Sequence, residues 1–168
     1  MDSLNTCIWQ QFGASIDMLE NALTACSTEL WSTESRFWYL GYHTLYWLDY
    51  YLCDDTTMEK DFVPPPPFTK SEFEYDLMPE RVYDKTELLD YLRFGKQKLH
   101  DLLTRLTAEE LQTKRFVSEY KDYSIFEMLL YNMRHVQHHT AQLNLLLRQG
   151  THAVPKWVSI TSDAAANK

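Results

Sequence analysis

The residues best suited to chemistry in this sequence are three histidines. His135 and His139 are four residues apart, and at about 100° per residue they lie one turn apart on one side of a helix. Two imidazoles in this relation can bind one metal ion, although such pairs also occur as hydrogen-bonded core or rim residues. His43 has Leu40 and Trp47 as helical neighbours and is predicted to face an apolar interior. A core-facing histidine on one helix and a histidine pair on another are what a three-imidazole site in a bundle requires.

Other polar and aromatic side chains lie close to these histidines along the same helices. Asn132 and Gln142 flank the pair on one side and are candidates to orient ligands or substrate, with His138 toward the rim. The rings predicted to shape the mouth of a pocket are those of Tyr39, Trp47 and Tyr50. No acidic residue lies on the face of the histidine pair, so the Glu-x-x-His motif of a di-iron carboxylate bundle is absent.

The spacing of apolar residues predicts four long helices that carry these side chains. Residues 8–26 place apolar side chains three and four apart, as one helical face requires. A second helix is predicted over 35–53, where eight aromatic residues occur, and a third over 84–106. The fourth is predicted over 124–150, with Gly150 expected just beyond its last turn. Helices of about 20 residues are roughly 30 Å long, and the sequence therefore predicts an all-α four-helix bundle.

The connection between the second and third helices, residues 54–83, is unusually long and contains four consecutive prolines. A proline run favours extended backbone and forbids helix, so we interpret it as a rigid strap rather than a partner-binding motif. A connection of this length can return the chain along the bundle, so the two helices need not be antiparallel. One domain is predicted over residues 1–158, followed by a loose tail over 159–168.

Composition and charge exclude several classes of function. The 168 residues include 16 basic and 24 acidic side chains, a net charge of −8 that argues against nucleic-acid binding. The four glycines are too far apart for a glycine-rich phosphate loop. No apolar run is long enough for a membrane span, and the first residues lack the pattern of a signal peptide. Three cysteines without CxxC spacing predict reduced, buried thiols in a cytoplasmic protein: Cys7, Cys26 and Cys53.

These motifs together resemble the DinB-like metalloprotein superfamily. Residues 37–52 are similar to the family's helix-two motif, and residues 135–143 are similar to its histidine pair near the end of helix four. The proline-rich crossover and the Pro-Lys-Trp-Val at 155–158 extend the resemblance over nearly the whole chain. One departure lies between the last histidine of the pair and the following glutamine, where Thr140 and Ala141 replace the family's frequent arginine and glycine.

The resemblance carries expectations about fold, metal and partners. It implies an up-down-down-up four-helix bundle that frequently forms a homodimer. It also implies one divalent ion, commonly zinc, nickel or iron, bound by His43, His135 and His139. Characterised relatives include thiol S-transferases and proposed metal hydrolases. A small-molecule substrate is therefore implied and, for a transferase, a low-molecular-weight thiol.

Three functions are compatible with these residues. Three histidines without a fourth protein ligand leave positions open for water or substrate, which fits a metal-dependent thiol transferase or hydrolase. A non-catalytic bundle that binds a metal or a small ligand would use the same histidines. A structural bundle with hydrogen-bonded core histidines is the third hypothesis, and metal content separates it from the first two.

Overall fold

Helices make up most of the computed structural model, which describes residues 1–32, 36–53, 62–69, 79, 81–152 and 155–161. Within these residues the long helices are α1 (Ser3–Ala25), α3 (Phe37–Tyr50), α4 (Lys85–Arg105) and α6 (Ile125–Gly150). The short helices are α2 (Thr28–Trp31) and α5 (Ala108–Thr113). An antiparallel hairpin consists of β1 (Arg115–Val117) and β2 (Asp122–Ser124). The predicted all-α class is confirmed, and the small hairpin was not predicted.

Local capping interactions begin two of the helices where the sequence indicated. Asp84 accepts a hydrogen bond from the backbone N–H of Glu87, and the Glu87 carboxylate accepts one from the backbone N–H of Asp84. This capping box satisfies backbone donors that the first helical turn leaves unpaired. The Ser124 hydroxyl caps α6 by accepting from the backbone N–H of Glu127 at 3.1 Å. Both helix starts are therefore decided by residues close in sequence.

The four long helices form a ring in which α1 and α3 each pack against both α4 and α6. Gly41 lies beside Leu88, and Leu48 lies beside Gly95, so contacts between α3 and α4 proceed in the same direction along both helices. These two helices therefore run parallel. A Cβ atom on Gly95 would lie 3.0 Å from Leu48 Cδ2, so the missing side chain allows α3 and α4 to approach closely here.

The described part of the proline-rich connection covers the aromatic side of α3. Phe62, Phe68 and Tyr83 are buried. The Phe68 ring stacks on Tyr42 with centroids 5.6 Å apart, and the Phe62 ring meets Tyr50 edge-on at 5.3 Å. Several rings of the aromatic-rich second helix therefore belong to the hydrophobic core beneath this connection. The rest of the predicted strap lies outside the described residues.

The C-terminal segment packs against α1. Thr161 is buried, its backbone N–H donates to the Gln10 carbonyl at 3.1 Å, and its hydroxyl donates to Asp17 Oδ2 at 2.6 Å. Gly13 makes room for this contact, since a Cβ atom there would lie 2.7 Å from Thr161 Cγ2. The segment predicted as a loose tail from residue 159 is thus in contact with the bundle at residue 161. Residues 162–168 lie outside the described residues.

Two smaller expectations differ from the structure. Gly150 is the last residue of α6 rather than the residue beyond it, and it packs against Leu30. No described glycine has positive φ, so conformational freedom is not its role here. Cys26 and Cys53 are buried, as predicted, whereas Cys7 is exposed because it lies on the outer face of α1.

In the part of the chain that the structure describes, no helix is long and apolar enough to cross a membrane.

Candidate metal centre

The three predicted histidines lie together between α3 and α6. The ring centroid of His43 on α3 lies 5.4 Å from that of His135 and 4.9 Å from that of His139, both on α6. The two α6 rings are 4.5 Å apart. One ligand atom from each imidazole lies within 4.8 Å of the other two, a spacing that small side-chain rotations bring within reach of one ion. Among the described residues no other group of three histidine, cysteine or acidic side chains lies so close.

Asn132 fixes the relative position of the two helices that carry the histidines. Its side-chain amide donates to the backbone carbonyl of Leu48 at 3.0 Å, in a fully buried contact between α6 and α3. A buried amide needs such a partner, because a lost hydrogen bond leaves the full desolvation cost of the group. The contact holds α3 against α6 one turn away from the histidine pair. Asn132, predicted to orient ligands, contributes here by tying the helices together.

His135 and His139 on α6 are held in the neutral form. Burial, together with the neighbouring His139 and His43, lowers the pKa of His135 to about 3. Burial also lowers the pKa of His139, although its hydrogen bond to Gln142 opposes the shift. Neutral imidazole is the form that binds a metal ion, because protonation removes the lone pair. Near pH 7 both side chains are therefore available as ligands.

Gln142 orients His139 directly. The Nδ1 atom of His139 lies 2.7 Å from the Gln142 side-chain oxygen. An amide oxygen only accepts, so Nδ1 donates in this contact and Nε2 retains its lone pair. In metal-binding histidines, a hydrogen bond from the ring nitrogen that does not bind the metal fixes the tautomer and the direction of the ring. Of the two flanking amides predicted from the sequence, Gln142 is the one in hydrogen-bond contact with a histidine of the group.

One atom of the group bears on whether a metal fits. His135 Nδ1 is buried and has no hydrogen-bond partner among the described residues. A buried polar nitrogen without a partner costs free energy, and coordination to an ion is one way to remove that cost. Three imidazoles, one with an unsatisfied nitrogen, form a donor set suited to a first-row divalent ion. The residues present therefore fit a metal ion.

Two of the three predicted pocket rings lie beside His43. The ring centroids of Tyr39 and Trp47 are each 6.3 Å from that of His43, one turn before it and one turn after it on α3. Tyr50 is buried and packs edge-on against Phe116 at 5.6 Å, in addition to its contact with the connection before α4. His138 is exposed, and its ring lies 5.0 Å from that of His139. Tyr39, Trp47 and His138 are therefore neighbours of the histidine group.

Sequence reasoning missed Tyr51, which follows α3 directly. Its ring meets His135 edge-on with centroids 6.2 Å apart. Burial raises the pKa of the Tyr51 phenol above its ordinary value, and the adjacent Tyr131 adds to the rise, so the hydroxyl remains protonated. The β1–β2 turn supplies Lys121, whose Nζ lies 5.3 Å from the Tyr51 ring centroid. No local pattern distinguishes Tyr51 from the core rings around it in sequence.

The lowered pKa of His135 predicts how stability depends on pH. Between pH 6.5 and about pH 3 the unfolded chain binds a proton at His135 that the folded chain does not. The free energy of unfolding of the metal-free protein should therefore fall as the pH drops below 6.5, by up to about 1.4 kcal/mol per pH unit from this group. Urea unfolding at pH 7 and pH 5 measures the change. Between pH 7 and pH 5, His135→Gln should lose less unfolding free energy than His100→Gln. Equal losses in the two variants would show that His135 is not the group responsible for the pH dependence.

The fold and the site define a class of protein, namely an all-α bundle with a three-histidine group that could hold a metal ion. The sequence profile of the DinB superfamily matches residues 11–143, a range that includes all three histidines. The chain therefore belongs to the DinB superfamily. Neither a curated protein nor a solved structure matches it.

Proposed function

We propose that His43, His135 and His139 bind one divalent metal ion and that the protein is a metal-dependent enzyme acting on a small molecule. The observation that carries this proposal is the convergence of three imidazoles from two helices, with no fourth ligating side chain in the group among the described residues. Three protein ligands are typical of catalytic zinc, because a further position stays open for water or substrate. A structural site is normally closed by four.

The reaction type that we propose is thiol transfer or hydrolysis. A bound ion would act as a Lewis acid that lowers the pKa of a coordinated water or thiol. Gln142 keeps the His139 lone pair directed into the group by accepting from Nδ1. Tyr39 and Trp47 flank His43 on the α3 side, and His138 lies at the exposed rim beside His139.

The three histidines indicate the class of metal ion but do not identify the element. Imidazole suits zinc, nickel and iron, so the donor set does not select one of them.

Three further properties stay predictions from the sequence: a low-molecular-weight thiol cofactor, a homodimer and a cytoplasmic location. The partner class that we propose is a small molecule, in keeping with the net charge of −8, which opposes nucleic-acid binding.

Metal content tests this proposal. Protein purified without an affinity tag should contain about one equivalent of zinc, nickel or iron per chain by mass spectrometry of the elements. Protein stripped with a chelator should recover one equivalent on titration. The loaded protein is then screened with thiol cofactors and electrophiles, and separately with ester and amide substrates. Failure to carry or take up any metal would contradict the proposal, and metal uptake without turnover in either screen would favour a non-catalytic binding bundle.

A further inference from the structure

Lys121 is held over two tyrosine rings next to the histidine group. Its Nζ lies 5.3 Å from the centroid of the Tyr51 ring and 5.2 Å from that of the Tyr131 ring. The Tyr51 ring in turn meets the His135 ring edge-on, with an interplanar angle of 86°. A cation, two phenol rings and one histidine of the candidate metal centre therefore form a continuous row of contacts.

The hairpin fixes the position of this lysine. The carbonyl of Lys121 accepts from the backbone N–H of Ser118 at 2.8 Å, which closes the turn between β1 and β2. The Arg115 guanidinium spans the strands to the Asp122 carboxylate at 2.9 Å. Because α6 begins directly after β2, the hairpin is joined to the helix that carries two of the three histidines. Lys121 is thus held beside the site by hydrogen bonds of its own hairpin.

Lys121 differs from the lysines that line α4. Lys98 donates to Asp49 Oδ1 at 2.6 Å, Lys96 pairs with Asp17, and Lys85 donates to backbone carbonyls. For Lys121, no carboxylate oxygen of the described residues lies within 4.0 Å of Nζ, and its contacts are the faces of the two rings. A ring face attracts an ammonium group without using its hydrogen-bond donors. Those donors remain available to a ligand.

The charge of the whole chain gives this lysine a specific use. At a net charge of −8, the long-range field repels an anionic small molecule, so a lysine ammonium beside the proposed metal ion would favour binding of an anion at this point. We propose that Lys121, together with Tyr51 and Tyr131, forms a subsite that selects small molecules bearing a carboxylate. This inference rests on the proposed function, since the metal ion would hold the other end of the same molecule.

Two small thiols that differ in one charge test the subsite. The protein loaded with Co²⁺ is titrated with 3-mercaptopropionate and with 2-mercaptoethanol, and the absorption of the cobalt–thiolate complex gives each Kd. The ratio of the two Kd values is compared between variants, because this comparison cancels the intrinsic difference between the thiols. Lys121→Gln should raise the Kd of 3-mercaptopropionate about 10-fold relative to the wild-type protein, which is the effect of losing one charge-assisted hydrogen bond. The Kd of 2-mercaptoethanol should stay unchanged.

Two control variants separate the subsite from other effects. Lys121→Arg keeps the cation and should retain most of the preference for the carboxylate. Lys156→Gln removes the same charge from the C-terminal segment and should leave the ratio unchanged, because an exposed charge is screened by salt.

The outcomes distinguish the two proposals. An unchanged ratio in Lys121→Gln, with Co²⁺ still bound, overturns the subsite and leaves the metal site standing. Equal losses for both thiols would show that Lys121 only holds the hairpin on the bundle, and would also overturn the subsite. If the wild-type protein binds no Co²⁺, the proposed function fails and the subsite fails with it.

Discussion

Alanine in place of His43, His135 or His139 is expected to lower the affinity for zinc or nickel by at least about 100-fold. Loss of a residue that only orients a ligand already costs about 10- to 100-fold, and loss of a ligand itself costs more. The three substitutions should act alike although they lie on two helices, because the three ligand atoms lie within 4.8 Å of one another. Metal content after purification and competition with a coloured chelator measure the effect.

His100→Ala is the matched control for these variants. The His100 ring packs edge-on against Trp9 on α1, with centroids 5.0 Å apart, and belongs to the α1–α4 contact. Its removal deletes one imidazole without touching the candidate metal centre, so metal content should equal that of the wild-type protein. If the His43 variant binds metal as the wild-type protein does, or His100→Ala loses it equally, the three-histidine assignment is wrong.

Asp49→Ala is expected to destabilise the fold by about 3 kcal/mol. The Asp49 side chain on α3 is 1% exposed, and its carboxylate accepts from Lys98 Nζ at 2.6 Å and from the Tyr91 hydroxyl at 3.0 Å. Burial raises the pKa of Asp49, while the charge of Lys98 and the hydrogen bonds from Lys98 and Tyr91 oppose the rise. Alanine would leave both α4 donors without this acceptor in the interface between the parallel helices.

The loss of stability in Asp49→Ala depends on how exposed to water the partners of Asp49 are. Removal of one member of a buried pair costs about 3–5 kcal/mol, and the lower end applies because the Lys98 side chain is 29% exposed. Denaturant unfolding gives the change in free energy. Asp90→Ala is the control, since the Asp90–Arg93 pair is exposed on both sides and should contribute less than about 0.5 kcal/mol. Equal losses from the two substitutions would show that Asp49 does not hold α3 and α4 together.

Features that depend on neighbouring residues were predictable from the sequence. The capping boxes of Asp84 with Glu87 and of Thr107 with Glu110 are both present, because their hydrogen bonds join residues three apart. The close approach at Gly95 followed from its place in a run of leucines, where a missing side chain leaves space for a neighbouring helix. Helix type and helix starts thus need little information from the rest of the chain.

Features that depend on distant residues were not predictable in this way. The β1–β2 hairpin is three residues long in each strand, and a strand so short has no distinct apolar period. Gly150 looked like a residue beyond the helix end, and its contact with Leu30 depends on how α2 lies against α6. The ring of Tyr51 could be separated from the core aromatics only by its position beside His135.

The sequence by itself determined the four long helices and placed His135 and His139 on one side of the last of them, because helical periodicity is a local property. It also marked His43 as a core-facing histidine. Only the tertiary structure decided that His43 meets the pair, since this depends on the rotation of α3 against α6, which the Asn132–Leu48 hydrogen bond fixes across 84 residues. The same is true of Lys121, which a hairpin of its own brings to the site. The packing of α3 against α6, which no local sequence pattern encodes, brings the three histidines together.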